Sequence, residues 1–106
     1  MPIARRGEIW QVDLGIAAKV RPALILSVAF LDHERALFAI VPHTTALRGT
    51  RFEVSLTVPG IQSGAFDAQG IRSIPAAALN RKLGVLSPDQ MIQVEEGVRA
   101  WLGIAR

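Results

Sequence analysis

Two histidines, His33 and His43, are the only side chains here that ordinarily titrate near neutral pH, and the chain has no cysteine. The missing cysteine removes disulfides, thiolate nucleophiles and cysteine metal sites together. The histidines stand ten residues apart in the sequence, a spacing that matches no common zinc pattern. No metal site is expected. What remains for chemistry is arginine, lysine, hydroxyls, amides and carboxylates. Of the 12 Lys and Arg residues ten precede position 83, where only six of the 9 acids stand. A basic body of this kind suits a polyanion or an acidic partner protein. By charge alone, an ordinary solvated surface is the better explanation.

The elements that must position these groups are short. A chain of 106 residues, 50% hydrophobic, has the size of one domain spanning residues 1–106. A domain this small buries only part of its unfolded surface, so a homodimer would add useful burial. In Gly7 to Leu14, Trp10, Val12 and Leu14 share one face at the period of a strand. Arg21-Pro22 opens the apolar run Ala23 to Val28, with proline where its missing N–H does least harm. After the charged turn Asp32 to Arg35, Ala36 to Pro42 reads as a second buried strand and His43 to Thr50 as a loop. Arg51 to Leu56 alternates again, and Gly64 to Ile74 holds one or two short strands. Ser87-Pro88-Asp89-Gln90 then carries an N-cap serine, a proline at the first helical position and a glutamine that completes a capping box. Met91, Val94, Val98, Trp101 and Leu102 form a helical stripe that Gly103 ends. Several strands followed by one helix predict a mainly β fold, a small barrel with a C-terminal α-helix.

No apolar run approaches the ~18 residues of a membrane span. The start Met1-Pro2-Ile3-Ala4-Arg5-Arg6 does not lead into a long apolar stretch, so a signal peptide is not expected and a cytoplasmic place is the default.

Four segments, in order along the chain, resemble the MazF/PemK (Kid-like) toxin family. Gly7-Glu8-Ile9-Trp10-Gln11-Val12-Asp13 resembles its opening GDIWWVD strand, and Arg21-Pro22-Ala23-Leu24-Ile25-Leu26-Ser27 its RPALVLS motif. Val41-Pro42-His43-Thr44-Thr45 resembles VPITS, and Arg81-Lys82-Leu83-Gly84-Val85-Leu86-Ser87 the RKLGRLS that leads into the last helix. The resemblance implies an SH3-like barrel and a homodimeric toxin of a type II toxin–antitoxin system. It implies an endoribonuclease that cuts single-stranded RNA, most simply mRNA, without metal or cofactor. The implied partner besides RNA is an antitoxin whose acidic, disordered tail occupies the RNA groove.

Carried over residue by residue, the resemblance makes Arg21 and Thr44 the catalytic pair. Metal-free cleavage uses the neighbouring ribose 2′-OH as nucleophile and leaves a 2′,3′-cyclic phosphate and a 5′-OH. A guanidinium presents fixed paired donors to the phosphate oxygens, which fits Arg21. The Thr44 hydroxyl can hydrogen-bond a phosphate or leaving oxygen. Each also has a plain structural reading, Arg21 as an exposed strand-start arginine paired with Asp13 or Glu8, and Thr44 as a turn hydroxyl capping its own backbone. If the two strands are antiparallel neighbours, Arg21 and Thr44 converge.

Asp67, Gln69 and Thr45 are further candidates for catalysis or RNA contact, although the spacing of Asp67, Gln69 and Arg72 departs from the family's compact DQxRT. Lys19, Arg48 and Arg51 are candidate phosphate contacts. His43 stands where the family is usually aliphatic, and a core or dimer-surface histidine is its expected role. The loop Gly15 to Val20 is shorter than the family's and carries Lys19 as its sole charge. Two other jobs are open to such a barrel. One is a CcdB-like gyrase poison using the end Trp101-Leu102-Gly103-Ile104, and the other a non-catalytic RNA-binding module.

Overall fold

The structure, a computed structural model, describes residues 3–15 and 19–105. Seven strands, β1 (Glu8–Asp13), β2 (Val20–Ile25), β3 (Leu37–Thr44), β4 (Glu53–Val54), β5 (Ala65–Asp67), β6 (Arg72–Pro75) and β7 (Leu79–Val85), precede one helix, α1 (Pro88–Leu102). All their pairings are antiparallel. The sheet runs β4-β5-β3-β2-β1-β7, with β6 also paired to β3. Among the described residues its two ends do not pair, so the barrel expected from the sequence is an open one.

Strands β1 to β3 are covered on both faces. Trp10, Val12, Ala23, Ile25, Phe38 and Ile40 belong to one buried cluster, while Ile9, Leu24 and Val41 join Phe66 and the helix residues Val94 and Val98 in another. This is why Ala23 to Leu26 reads as a continuous apolar run rather than an alternating one. The strand stops early: the N–H groups of Leu26 and Ser27 both turn to the Ala39 carbonyl, and Ser27 Oγ accepts from Ala39 N at 2.9 Å.

Two sequence expectations are corrected here. The segment after Pro42 is not all loop, because β3 runs on through His43 and Thr44. Residues 79–85, read only as the approach to the helix, form the second-longest strand, β7. The alternating stretch Arg51 to Leu56 contributes just two strand residues, although Phe52, Val54 and Leu56 do pack into one cluster. Strands β5 and β6 share the edge of β3 that β2 leaves open, with the 3-10 turn Ala68–Gly70 spliced between them.

The helix start follows its sequence signature. Ser87 Oγ accepts from Gln90 N, Gln90 Oε1 accepts from Ser87 N, and Pro88 opens the helix. Gly103 ends it in the left-handed conformation, φ 69°. Val94 and Val98 are buried as the stripe predicts, but its far end is not: Trp101 and Leu102 remain 43% and 49% exposed. Gly97 lets the helix approach closely, since a Cβ there would lie 3.1 Å from Val54 Cγ2. Among the described residues no helix is long and apolar enough to cross a membrane.

Candidate active site

The register of β2 against β3 sets Ala23 opposite Pro42, Leu24 opposite Val41 and Ile25 opposite Ile40. Arg21 and Thr44 each stand two residues beyond the Ala23–Pro42 pair, at the same end of the two strands. Both residues line one cleft of about 450 Å³ at this end of the sheet. Strand alternation puts Arg21 and Thr44 on one face and Pro22 and His43 on the other. All four nevertheless line the cleft.

The charge of the cleft is one-sided. Among the described residues Lys19, Arg21 and Arg81 line it, and no carboxylate does. A cationic lining of this kind raises the local concentration of an anion. Lys19 holds φ 61°, a left-handed conformation uncommon for a residue with a side chain. Its N–H donates to the Gly15 carbonyl and its carbonyl accepts from Leu14 N, which fixes the bend that delivers β2. Residues 16–18, the centre of the short loop noted in the sequence, lie outside the described residues.

Thr44 sits at the last position of β3, and its Oγ1 accepts from Ala46 N at 3.0 Å. The expected backbone-capping role is therefore present. With a lone pair occupied by Ala46, the hydroxyl keeps its O–H to donate. Beside it, Gly64 approaches so closely that a Cβ would fall 2.2 Å from the Thr44 carbonyl oxygen and 2.8 Å from His43 Cε1.

His43 is 3% exposed and packs its ring edge-on to Phe66. Its Nε2 is buried without a hydrogen-bond partner, and burial pulls its pKa below the ordinary histidine value. It is thus a core histidine, beside the cleft, whose burial disfavours the charged form.

Of the other residues singled out from sequence, Thr45 lines the cleft and the rest do not. Asp67 is the N-cap of the 3-10 turn, its Oδ1 accepting from Gln69 N at 3.1 Å, and Gln69 is exposed on that turn. Arg51 lies over the Phe52 ring at 4.6 Å. The backbone N–H of Arg48, with those of Gly49 and Thr50, donates to the Glu53 carboxylate, and these bonds, led by Arg48's, hold Glu53 below the usual carboxylate range. Arg48 and Arg51 therefore border a separate turn. Sequence reasoning missed Gln11, Arg81 and the Gly60–Gln62 segment, all of which line the cleft. Arg81 was visible inside a motif, but nothing local marked its direction. Among the described residues no three His, Cys, Asp or Glu side chains gather as metal ligands.

Comparisons with known proteins bear on the family and the fold. Residues 5–102 match the family described as PemK-like, MazF-like toxin of type II toxin–antitoxin system. The endoribonuclease MazF9 of Mycobacterium tuberculosis is 32% identical over 114 aligned positions, covering 94% of this chain and 97% of that protein. The fold superposes on the MazE–MazF crystal structure from Deinococcus radiodurans with TM-score 0.82, at 24% identity over 99% of this chain and 100% of that one. It also superposes on the Mycobacterium tuberculosis toxin MazF-mt6 with TM-score 0.80, at 25% identity over 93% and 99%. With a family match over nearly its whole length and a cationic cleft where the RPALILS and VPHTT segments meet, the chain belongs to the PemK-like, MazF-like toxins of type II toxin–antitoxin systems.

Proposed function

We propose that this chain is a single-domain toxin with endoribonuclease activity, cutting single-stranded RNA by attack of the ribose 2′-OH on the adjacent phosphorus. The observation that carries the reading is that Arg21 and Thr44 line one cleft, which among the described residues is lined by three cations and no carboxylate. Arg21 presents paired N–H donors to the phosphate oxygens and offsets the charge that grows on the pentacovalent phosphorus. The Thr44 hydroxyl, oriented by Ala46 N, donates to a phosphate or leaving oxygen. Thr45 and Lys19 hold the strand on either side of this point. Asp67, Gln69, Arg48 and Arg51, away from the cleft, serve an RNA that runs on past β5 and the turn before β4. Neither attack nor departure calls for a metal or cofactor in this scheme.

The relatives also guide the choice of partners. One relative is named an endoribonuclease and one neighbour was solved as MazE–MazF. By analogy, a cognate antitoxin with an acidic tail covers the cationic cleft of this chain, a homodimer is the working form, and the cytoplasm is where it meets RNA.

The test is incubation of the purified, antitoxin-free protein with a long single-stranded RNA in EDTA, with the cleavage ends mapped. Fragments ending in 2′,3′-cyclic phosphate at a recurring short sequence are the expected result. Intact RNA would overturn the reading in favour of gyrase binding or silent RNA binding.

A further inference from the structure

The cleft's second wall is built by β1 and β7, where Gln11 stands opposite Arg81. Two irregularities bracket this pair. The register steps from Ile9–Gly84 to Trp10–Lys82, and again from Gln11–Arg81 to Val12–Leu79, so Leu83 and Asn80 are extra residues on β7. Between them Arg81 and Lys82 pair in regular register with Gln11 and Trp10, and strand alternation sends the two cations to opposite faces. Lys82 turns to Glu8, Nζ to Oε2 3.1 Å, and is neutralised there. Arg81 lines the cleft, where its Nε donates to the neutral Gln11 Oε1 at 3.4 Å. Among the described residues no carboxylate pairs with Arg81.

A guanidinium anchored through Nε by a neutral amide keeps its full charge and offers its terminal nitrogens onward. That is how a protein prepares an arginine for an external anion. Strand β7 lies two places from β2, a backbone separation of about 10 Å at ordinary strand spacing. One phosphate at Arg21 and Thr44 would leave Arg81 to another.

We propose that Arg81, anchored by Gln11, is a second phosphodiester subsite of the cleft and holds a phosphate flanking the one cleaved. This rests on the endoribonuclease reading given above. Arg81 here is a binding residue, and Gln11 positions it.

The experiment pairs Arg81→Ala with RNA oligonucleotides in which single flanking phosphates are replaced by neutral methylphosphonates. With unmodified RNA, Arg81→Ala should lower kcat/KM about tenfold, mainly through KM, the scale of one lost charge-assisted contact. The salt dependence of binding should become shallower by about 0.7 in log–log slope. In the wild type, one methylphosphonate position should cost a similar factor; in Arg81→Ala that same position should cost nothing more. Arg81→Lys should fall between, and Gln11→Leu should weaken KM while leaving kcat. Independent, multiplying effects of the variant and every methylphosphonate would overturn the subsite. If the wild type leaves unmodified RNA intact, it is the enzymatic reading that fails. The same cycle is then read by fluorescence anisotropy of bound RNA, where equal affinities of wild type and Arg81→Ala would overturn the subsite.

Discussion

His43 meets Phe66 edge to face, ring centroids 5.1 Å apart, with its Nε2 buried and unpartnered beside the strand-end residue Thr44. An unpartnered ring nitrogen in an apolar setting tolerates the neutral form and resists the charged one. The folded chain therefore binds this proton less readily than the unfolded chain. Stability is complete above the ordinary histidine value of about 6.5 and is lost as pH falls below it. Urea unfolding at pH 7.5 and pH 5.5 should show wild type losing more stability on acidification than His43→Ile. Equal losses in the two proteins would show that His43 carries no such penalty.

Arg21 and Thr44 act at the same phosphate in the proposed mechanism. Arg21→Ala and Thr44→Ala should each lower single-turnover cleavage by a factor of about 10² or more, while the protein stays folded. Thr44→Ser, which keeps both the acceptor for Ala46 N and the free O–H, should retain most activity. Either alanine variant cleaving at the wild-type rate would remove that residue from the site.

Gly64 owes its place to crowding rather than to backbone strain. An alanine methyl there would sit 2.2 Å from the Thr44 carbonyl oxygen, and backbone has little room to yield. Gly64→Ala should therefore destabilise the fold by about 1–3 kcal/mol. It should also depress cleavage beyond what stability explains, because the strand that moves carries Thr44. Denaturant midpoints and cleavage rates measured on the same preparation check both parts; unchanged values would mean that β5 shifts freely away.

The helix start should behave as an independent stability element. Ser87→Ala removes the acceptor for Gln90 N and should cost about 1 kcal/mol. Val94→Ala, at a fully buried position, should cost about 2 kcal/mol. Neither change touches the cleft, so cleavage at a temperature where both variants are folded should match wild type. A loss of activity in folded Ser87→Ala would show that the helix start and the cleft are coupled.

What the sequence by itself determined was local or strongly periodic. Trp10 and Val12 were placed on a buried face by alternation alone, and Ser87, Gln90 and Gly103 marked the ends of α1 because caps act within one turn. The placing of Arg21 and Thr44 at one cleft could be foreseen from motif order, given antiparallel strands. What the sequence left open depended on register. Arg81 and Lys82 are adjacent and alike in charge, yet one ends against Glu8 and the other in the cleft. Which of the two faces which way is set by the register of β7 against β1, strands some 70 residues apart. The same holds for Asp67, whose carboxylate also caps the 3-10 turn, and for Trp101, whose helical spacing suits a core but which stays 43% exposed with its ring edge-on to Phe52. Cross-strand register and the reach of a packing surface are properties of distant segments meeting, and only the tertiary structure decides them.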